Sequence, residues 1–586
     1  MIRRLLARRL LGSRNEAGYA AIVVAMLSAS VLLPLSALAV DVSRWYVEVE
    51  RVQNAADSAA MAGVTWLPID LASATATAKT VSARNGYKDG TNATVTVATG
   101  AKPTQLVVTV STTVHNAISS SFTNSFTTIT RSATADYNGP APMGSPCNTF
   151  GNEPTGGTPG GTSPSQSSVL SAPAGGAVCS SNPKFWASVH GPSVYKVDGD
   201  QLMTRACNGT EDGCSGGVNN DFRPEGYFYI VRVTPAAVGT PVSLQLYDPA
   251  YVYQGQQCDT TSNYFTPTSD TLNGYVNDAK TRYKTTASGG QANNFCAGDN
   301  RLTSTSGGDV ATVTSFGLRA PVDTFVPKQA PPMSSCVKQY PGYTQSQVTN
   351  AQLTGTTNLK LAAVYHRWVT MCTFTPTQSG DYYLQIRTNV ALNTSSYDGQ
   401  GGYNGNMAVF NQTGDDTAVK GSGANAFAIR ATSPTPGAVS VAGWDRMSIW
   451  MNSDAVTSTM NLVRVVPAAA SKTLDFEFFD AGDAATGGTI TVLPPVETPI
   501  TLTGCVGTGK VNGALSGCAV TGVSSSNGWN GKSQHIRVPI PPTYDCNATS
   551  TGGCWFRLQV SFGTGAVHDV TTWTARIEGD PVRLIK

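Results

Sequence analysis

The chain predicts an α+β unit, a long helix with a small antiparallel sheet, followed by all-β sandwich or jelly-roll domains. Three observations predict this. Apolar residues recur at helical spacing only near the N-terminus. Short runs with two-residue alternation dominate the remainder. A gapless internal repeat lies within that β-rich part.

The first element is apolar. Arg3, Arg4, Arg8, Arg9 and Arg14 precede an uncharged run from Gly18 to Val40. At 1.5 Å per residue that run makes a helix of about 34 Å, and a hydrocarbon core is about 30 Å thick. A transmembrane helix over 18–40 is therefore expected in the lipid bilayer. Arginines stay cytoplasmic, which places segment 1–17 inside and the bulk of the chain outside the cell membrane as a single-pass protein. Ala21, Ala25 and Ala29 offer a small-residue face, although alanine is simply common here. Pro34 is expected to kink the helix. Ala37 and Ala39 form an A-x-A pattern of the kind signal peptidase cleaves. The helical pattern continues through Val40 without a break, which favours an uncleaved signal anchor.

The pattern then becomes amphipathic. Val42, Trp45, Val49, Val52, Ala56, Ala59, Gly63 and Trp66 form one seam, large residues first and mostly small ones after. It packs either on the domain's own sheet or on a partner subunit. Leu71 to Asn85 continues as a second helix. Strands follow at Thr94–Thr99, Gln105–Val114 and Thr127–Ala135, so the α+β unit occupies 41–137. Segment 138–176, with PTGGTPGGTSPSQSS at its centre, has no apolar period and reads as a linker.

In the β-rich part, YIVRVTPAAVGTPVSLQLYDPA (Tyr229 to Ala250) aligns with NLVRVVPAAASKTLDFEFFDAG (Asn461 to Gly482). Each copy reads as strand, Pro-Ala-Ala turn, strand, with Asp248 matching Asp480. Two related β-sandwich domains, 177–395 and 396–586, are expected. Twelve cysteines occur, none before Cys147. An even count confined to the exported part reads as disulfides. Neighbour pairing puts Cys207 with Cys214, Cys505 with Cys518 and Cys546 with Cys554.

Composition excludes some classes. Only 13% of residues are charged, net charge is +2, and no basic stripe follows residue 14, so nucleic acid is not an expected partner. His115, His190, His366, His535 and His568 are scattered. No HExxH, GxSxG, Walker or GxGxxG pattern occurs. No enzyme, cofactor or metal is expected. Asp198 with Asp200, and Asp415 with Asp416, read as turns rather than calcium ligands, and Asp248 and Asp480 as caps after strands. Tyr227, Phe228, Tyr229, Phe478, Phe479 and Trp555 read as core, although an exposed set would suit a surface glycan.

The start of the chain resembles the N-terminal domain of TadG-like proteins of Flp (tight-adherence) pilus assembly. The resemblance rests on RNEAGYAAIVVAM (Arg14 to Met26), ALAVDVSRWYVEVERVQNAADSAAMAGV (Ala37 to Val64) and the strands that end in ATADY at Tyr137. Asp41 and the helix carrying Gln53, Asn54, Ala55, Ala56, Asp57, Ala59 and Ala60 are its signature. The resemblance implies a non-catalytic accessory protein of the cell envelope, partnered by other pilus-assembly or pilin-like subunits. Two features depart from the pattern. No DxSxS metal motif of a von Willebrand A domain is found. Val23 stands where pilins of the system carry Glu, five residues after a Gly such as Gly18, so polymerisation as a major pilin is not implied. The other functions weighed are a surface adhesin or glycan-binding protein on the same anchor and, more remotely, a secreted hydrolase.

Overall fold

A computed structural model describes residues 18–67, 71–101, 105–152, 179–252, 299, 310–344, 358–405, 415–562 and 567–585, with short interruptions inside these ranges. It divides into two compact units. The first holds residues 1–67, 71–137 and 582–586, and the second holds 68–70 and 138–581.

The first unit begins with continuous helical backbone. Residues 18–27 are α-helical, Ser28–Leu32 form a π turn, and helix α1 runs over Leu33–Gly63. The wide turn falls where Pro34 enters. Proline has no N–H to give to the carbonyl four residues earlier, so the regular ladder is interrupted there. Hence one expectation is corrected. Among the described residues no helix is long and apolar enough to cross a membrane. The π turn divides the apolar run, and α1 carries Asp41, Arg44, Glu48 and Glu50 in its first half or just beyond. The A-x-A pattern lies inside α1, whose helix passes Val40 unbroken.

Helix α1 and helix α2 (Leu71–Arg84) pack on an antiparallel sheet of β1 (Ala93–Thr99), β2 (Gln105–His115), β3 (Phe126–Tyr137) and the C-terminal strand Val582–Ile585. Leu106, Val108 and Val110 of β2 alternate inward. They meet Val52, Ala56, Ala59 and Val64 in one core. On the other face hydroxyls pair across strands, Thr109 with Ser132 at 3.0 Å and Ser111 with Thr130 at 2.8 Å. The last strand adds to the edge of β3, with Val582 opposite Tyr137 and Ile585 opposite Thr134. Residues 582–585 thus belong with the first unit, although the repeat suggested that they close the last β-domain.

The second unit is a two-layered sandwich. One layer runs Pro332–Tyr340, Thr314–Arg319, Gly380–Arg387, Tyr227–Val233, Val439–Trp444, Pro142–Met143, Thr457–Arg464, Trp555–Ser561, Gly488–Leu493 and Ala519–Val523. The other runs Trp368–Phe374, Val242–Tyr247, Ala424–Thr432, Phe185–His190, Arg446–Ser453, Val567–Ile577, Thr473–Phe479, Ser533–Pro539 and Val506–Gly509. Neighbours are antiparallel throughout, and the two layers share a single apolar core.

Each copy of the repeat makes the same move. Its first strand lies in one layer and its second in the other, and the chain crosses between them at Pro235–Ala237 or Pro467–Ala469, each one turn of 3-10 helix. Proline suits the first position of such a turn, where no N–H is needed. At the end of the second strand Asp248 has φ 51° and Asp480 φ 60°. Aspartate tolerates this left-handed backbone better than most residues, which is the reason the same residue recurs.

No boundary appears at 395/396. Val439–Trp444 pairs with Tyr227–Val233, and Arg446–Ser453 pairs with both Phe185–His190 and Val567–Ile577. A sandwich of half this size would leave those edges open, and unpaired edges are satisfied here by the sister copy. Part of the expected linker is also ordered. Pro142–Met143 completes a layer, and Phe150 is fully buried. Cys147 joins Cys179 across 153–178, which lie outside the described residues.

The other bonds are Cys207–Cys214, Cys336–Cys372, Cys505–Cys518 and Cys546–Cys554. Cys336–Cys372 ties Pro332–Tyr340 to Trp368–Phe374 across the two layers at one end of the sandwich, and at the other Cys505–Cys518 joins the residues just before Val506–Gly509 and Ala519–Val523. Cys258 and Cys296 lie outside the described residues.

The tight packing of α1 on the first sheet is testable. A Cβ on Gly63 would stand 2.6 Å from Leu106 Cδ2 and 2.7 Å from Ala74 O. Gly63→Ala is expected to cost about 1–3 kcal/mol, as overpacked sites do. Denaturant unfolding of the two proteins checks this, and an unchanged midpoint would show that the helix does not approach this closely.

Candidate interaction surface on the signature helix

The signature residues fall on two sides of α1. Ala55, Ala56, Ala59 and Ala60 are fully buried against β2, β3 and α2. Small side chains let the helix backbone approach the sheet. Trp45, Val49 and Trp66 of the same seam pack at its margins. The seam is therefore occupied by the unit's own sheet. Gln53 and Asp57 are half-buried, and Gln53 Nε2 donates to Asp57 Oδ1 at 2.8 Å, an i,i+4 pair along the helix. Asn54 is exposed.

Asp41 opens the signature and is 1% exposed. Its Oδ2 accepts the backbone N–H of Ile118 at 3.1 Å, and Arg44 lies 3.8 Å from Oδ1. Beside it the Trp45 indole N–H donates to Asn116 Oδ1 at 2.9 Å, and Thr127 donates to the same oxygen at 3.0 Å. The connection between β2 and β3 is thereby fastened to the start of the amphipathic helix. Asn116 was not apparent in the sequence, since a lone Asn after a strand signals only a turn. Farther along, Tyr87 donates to Glu48 Oε1 at 2.8 Å. Burial together with that carboxylate pushes the Tyr87 phenol up to about 12.

Away from the sheet, Tyr46, Val47, Glu50, Asn54, Ser58 and Met61 form an exposed stripe. Tyr46 is 70% and Val47 52% exposed. Before α1, Tyr19, Ile22, Val24, Met26, Leu27, Val31 and Leu32 are all exposed.

Elsewhere the titratable groups are bound into the fold. His190 is fully buried, and burial pushes its imidazole down to about 4. His535 Nδ1 lies 3.1 Å from Asp475 Oδ1 on the neighbouring strand, and that hydrogen bond raises the imidazole. Asp200 accepts N–H groups of His190, Leu202 and Met203 and the Tyr227 hydroxyl. Asp415 is paired with Arg205, and Asp416 accepts the Ala418 N–H. Tyr227, Phe228, Tyr229, Phe478, Phe479 and Trp555 are all buried and form no exposed platform.

The signature region is what relates this chain to known proteins. The family model described as "Putative Flp pilus-assembly TadE/G-like" matches residues 18–74, the segment from the apolar helix to the first turn of α2. This agrees with the resemblance seen in the sequence. No curated protein matches the chain.

Two measurements probe these groups. Asp41→Ala removes the buried carboxylate that accepts the Ile118 N–H and is expected to cost about 1–3 kcal/mol; equal thermal stability of the variant would remove the fastening role. An unfolded imidazole titrates near 6.5 and the folded His190 at about 4. Between those values the unfolded chain binds a proton that the folded chain refuses. The contribution of His190 to stability is therefore intact above pH 6.5 and falls, by roughly 3 kcal/mol, as pH drops towards 4. Subtracting the stability–pH curve of His190→Phe from that of the parent isolates this slope, and identical slopes would exclude it.

Proposed function

We propose that the chain is a non-catalytic accessory protein of Flp (tight-adherence) pilus assembly. It is held at the cell envelope through the exposed apolar surface of residues 18–40, with the larger unit facing an oxidising compartment. One observation carries this reading. The stretch matched by the pilus-assembly family lies on helical backbone whose sheet-facing side is filled by its own core, while its other side is uncovered. The disulfides accord with an oxidising compartment. The partners proposed are related membrane-proximal subunits of the same system, docking on the stripe of Tyr46, Val47 and Met61. Exposed apolar side chains aligned on a rigid helix suit a helix-on-helix contact.

The test is co-purification from membranes. Pilus-assembly subunits are expected with the parent chain and, at least ten-fold reduced, with Val47→Asp. Because Val47 is exposed, the variant should keep its melting temperature. Recovery of the subunits undiminished by the substitution would refute the docking surface. Their absence from the parent, together with binding to glycan, would favour the adhesin reading instead.

A further inference from the structure

The larger unit buries several carboxylates that the proposed function does not use. Three stand at the end of the second repeat. Asp480 follows Thr473–Phe479, Asp483 lies in the loop beyond it, and Asp569 is on the adjacent strand Val567–Ile577. A fourth, Asp198, is brought over them by the segment between Phe185–His190 and Tyr227–Val233. Thr572 Oγ1 donates to Gly199 O at 2.9 Å, and a Cβ on Gly199 would strike Val570 O, so this segment lies directly on the Asp569 strand.

The carboxylates differ in how they are satisfied. Asp200, equally buried, collects four donors. In the sister repeat, Asp299 is fully buried beside Asp248 but accepts N–H groups of Val252 and Ala426, one on each oxygen. The strand position that carries Asp569 here carries Asn425 there. Asp569 is 0% exposed, and neither of its oxygens has a hydrogen-bond donor. The backbone N–H and carboxyl of Asp483 come close to it, but without hydrogen-bond geometry. Oδ2 of Asp480 and Oδ2 of Asp198 are likewise buried without a donor.

Asp480 Oδ1 accepts the Gly531 N–H at 2.6 Å and Asp198 the N–H of Tyr195, but the charged neighbours that act on these groups are other acids. Burial pushes Asp480 and Asp569 well above the usual carboxylate range, and Asp483 adds to both shifts. Burial lifts Asp198 to about 7, with Asp483 and Glu211 contributing. Asp483 is held near 6 by the protein crowded beneath it, although its side chain reaches solvent. Lys196, two residues before Asp198, pairs with Asp221 at 2.6 Å, and Lys532, whose carbonyl accepts the Asp480 N–H, pairs with Asp212 at 3.1 Å.

An unpartnered buried carboxylate is costly, and a cation bound by it relieves that cost. We propose that Asp480, Asp483 and Asp569 bind a calcium ion at the end of the second repeat, with Asp198 as a further oxygen ligand. The donors are all oxygen, which suits a hard cation, and calcium accepts irregular geometry that magnesium does not. The three carboxylates are not gathered on one point in the ion-free chain. Among the described residues the one trio whose ligand atoms lie within 4.8 Å is Cys207, Glu211 and Cys214. Those two sulfurs are bonded to each other, and Glu211 accepts the N–H groups of Asn208 and Gly209. The Asp483 carboxyl already stands beside Asp569, so binding requires these two and Asp480 to close on one point, and calcium would order the loop after Asp480.

The experiment uses the full chain in detergent, freed of metal with EDTA and titrated with calcium chloride at pH 7.5. About one calcium ion bound per chain in calorimetry is expected, with a dissociation constant of roughly 0.1–1 mM. Saturation should raise the melting temperature by about 2–4 °C, and magnesium at equal concentration should give a smaller rise. Asp569→Asn and Asp483→Asn should each weaken calcium at least ten-fold. Asp483 is exposed, so its variant keeps the test decisive if Asp569→Asn fails to fold. Absence of calcium heat in the parent chain, or calcium affinity unchanged in Asp483→Asn, would overturn the proposal. Neither result depends on whether pilus-assembly subunits are recovered.

Discussion

The antiparallel pairing of Phe185–His190 with Arg446–Ser453 holds the larger unit together. Trp186 stands opposite Trp450 at its centre, and both are buried. Each of these strands precedes the first strand of its own repeat copy, so the two copies meet through like elements in an approximate two-fold relation. Without this joint, each half would present a full-length strand edge to solvent. With it, one layer is continuous from Trp368–Phe374 to Val506–Gly509. The opposite layer needs a different solution. There Val439–Trp444 serves the first copy, and the short Pro142–Met143, from before the repeats, fills the gap to the second.

This arrangement explains where the chain is stapled. Once the copies share their inner edges, the layers among the described residues end at the two outer ends of the sandwich. Cys336–Cys372 and Cys505–Cys518 close the layers at those two ends. The insertion bearing Cys207–Cys214 departs from the first copy and reaches the end of the second, where Asp212 accepts the Ser533 N–H at 2.9 Å. The strand ends of the two copies are thereby made unlike: the first meets Asp299 with its backbone donors, and the second meets carboxylates. Duplication supplied the same left-handed aspartate to both, and the surroundings gave each a different electrostatic task.

In the smaller unit the signature helix was legible in some detail. Its seam at Val52, Ala56 and Ala59 faces the sheet as its spacing required, because helical periodicity depends only on local geometry. The alternation in β2 was legible for the same reason. Asn116 was not, because its role comes from meeting Trp45 and Thr127 across the fold. The apolar run at 18–40 was readable in composition, yet its division by a π turn at Ser28–Leu32 reflects backbone hydrogen bonding around Pro34.

By itself the sequence determined the kinds of element, the repeat, the confinement of cysteines to the part beyond Cys147 and the resemblance of the N-terminal helix to pilus-assembly proteins. All of these are written in spacing or composition, which survive without a partner. Tertiary structure decided the rest. It made one sandwich of two repeat copies, returned Val582–Ile585 to the edge of β3, and left Asp569 buried without a donor while Asn425 and Asp299 hold the equivalent place. These outcomes depend on which edge or side chain is left unsatisfied after packing, and residues far apart in the chain settle that together.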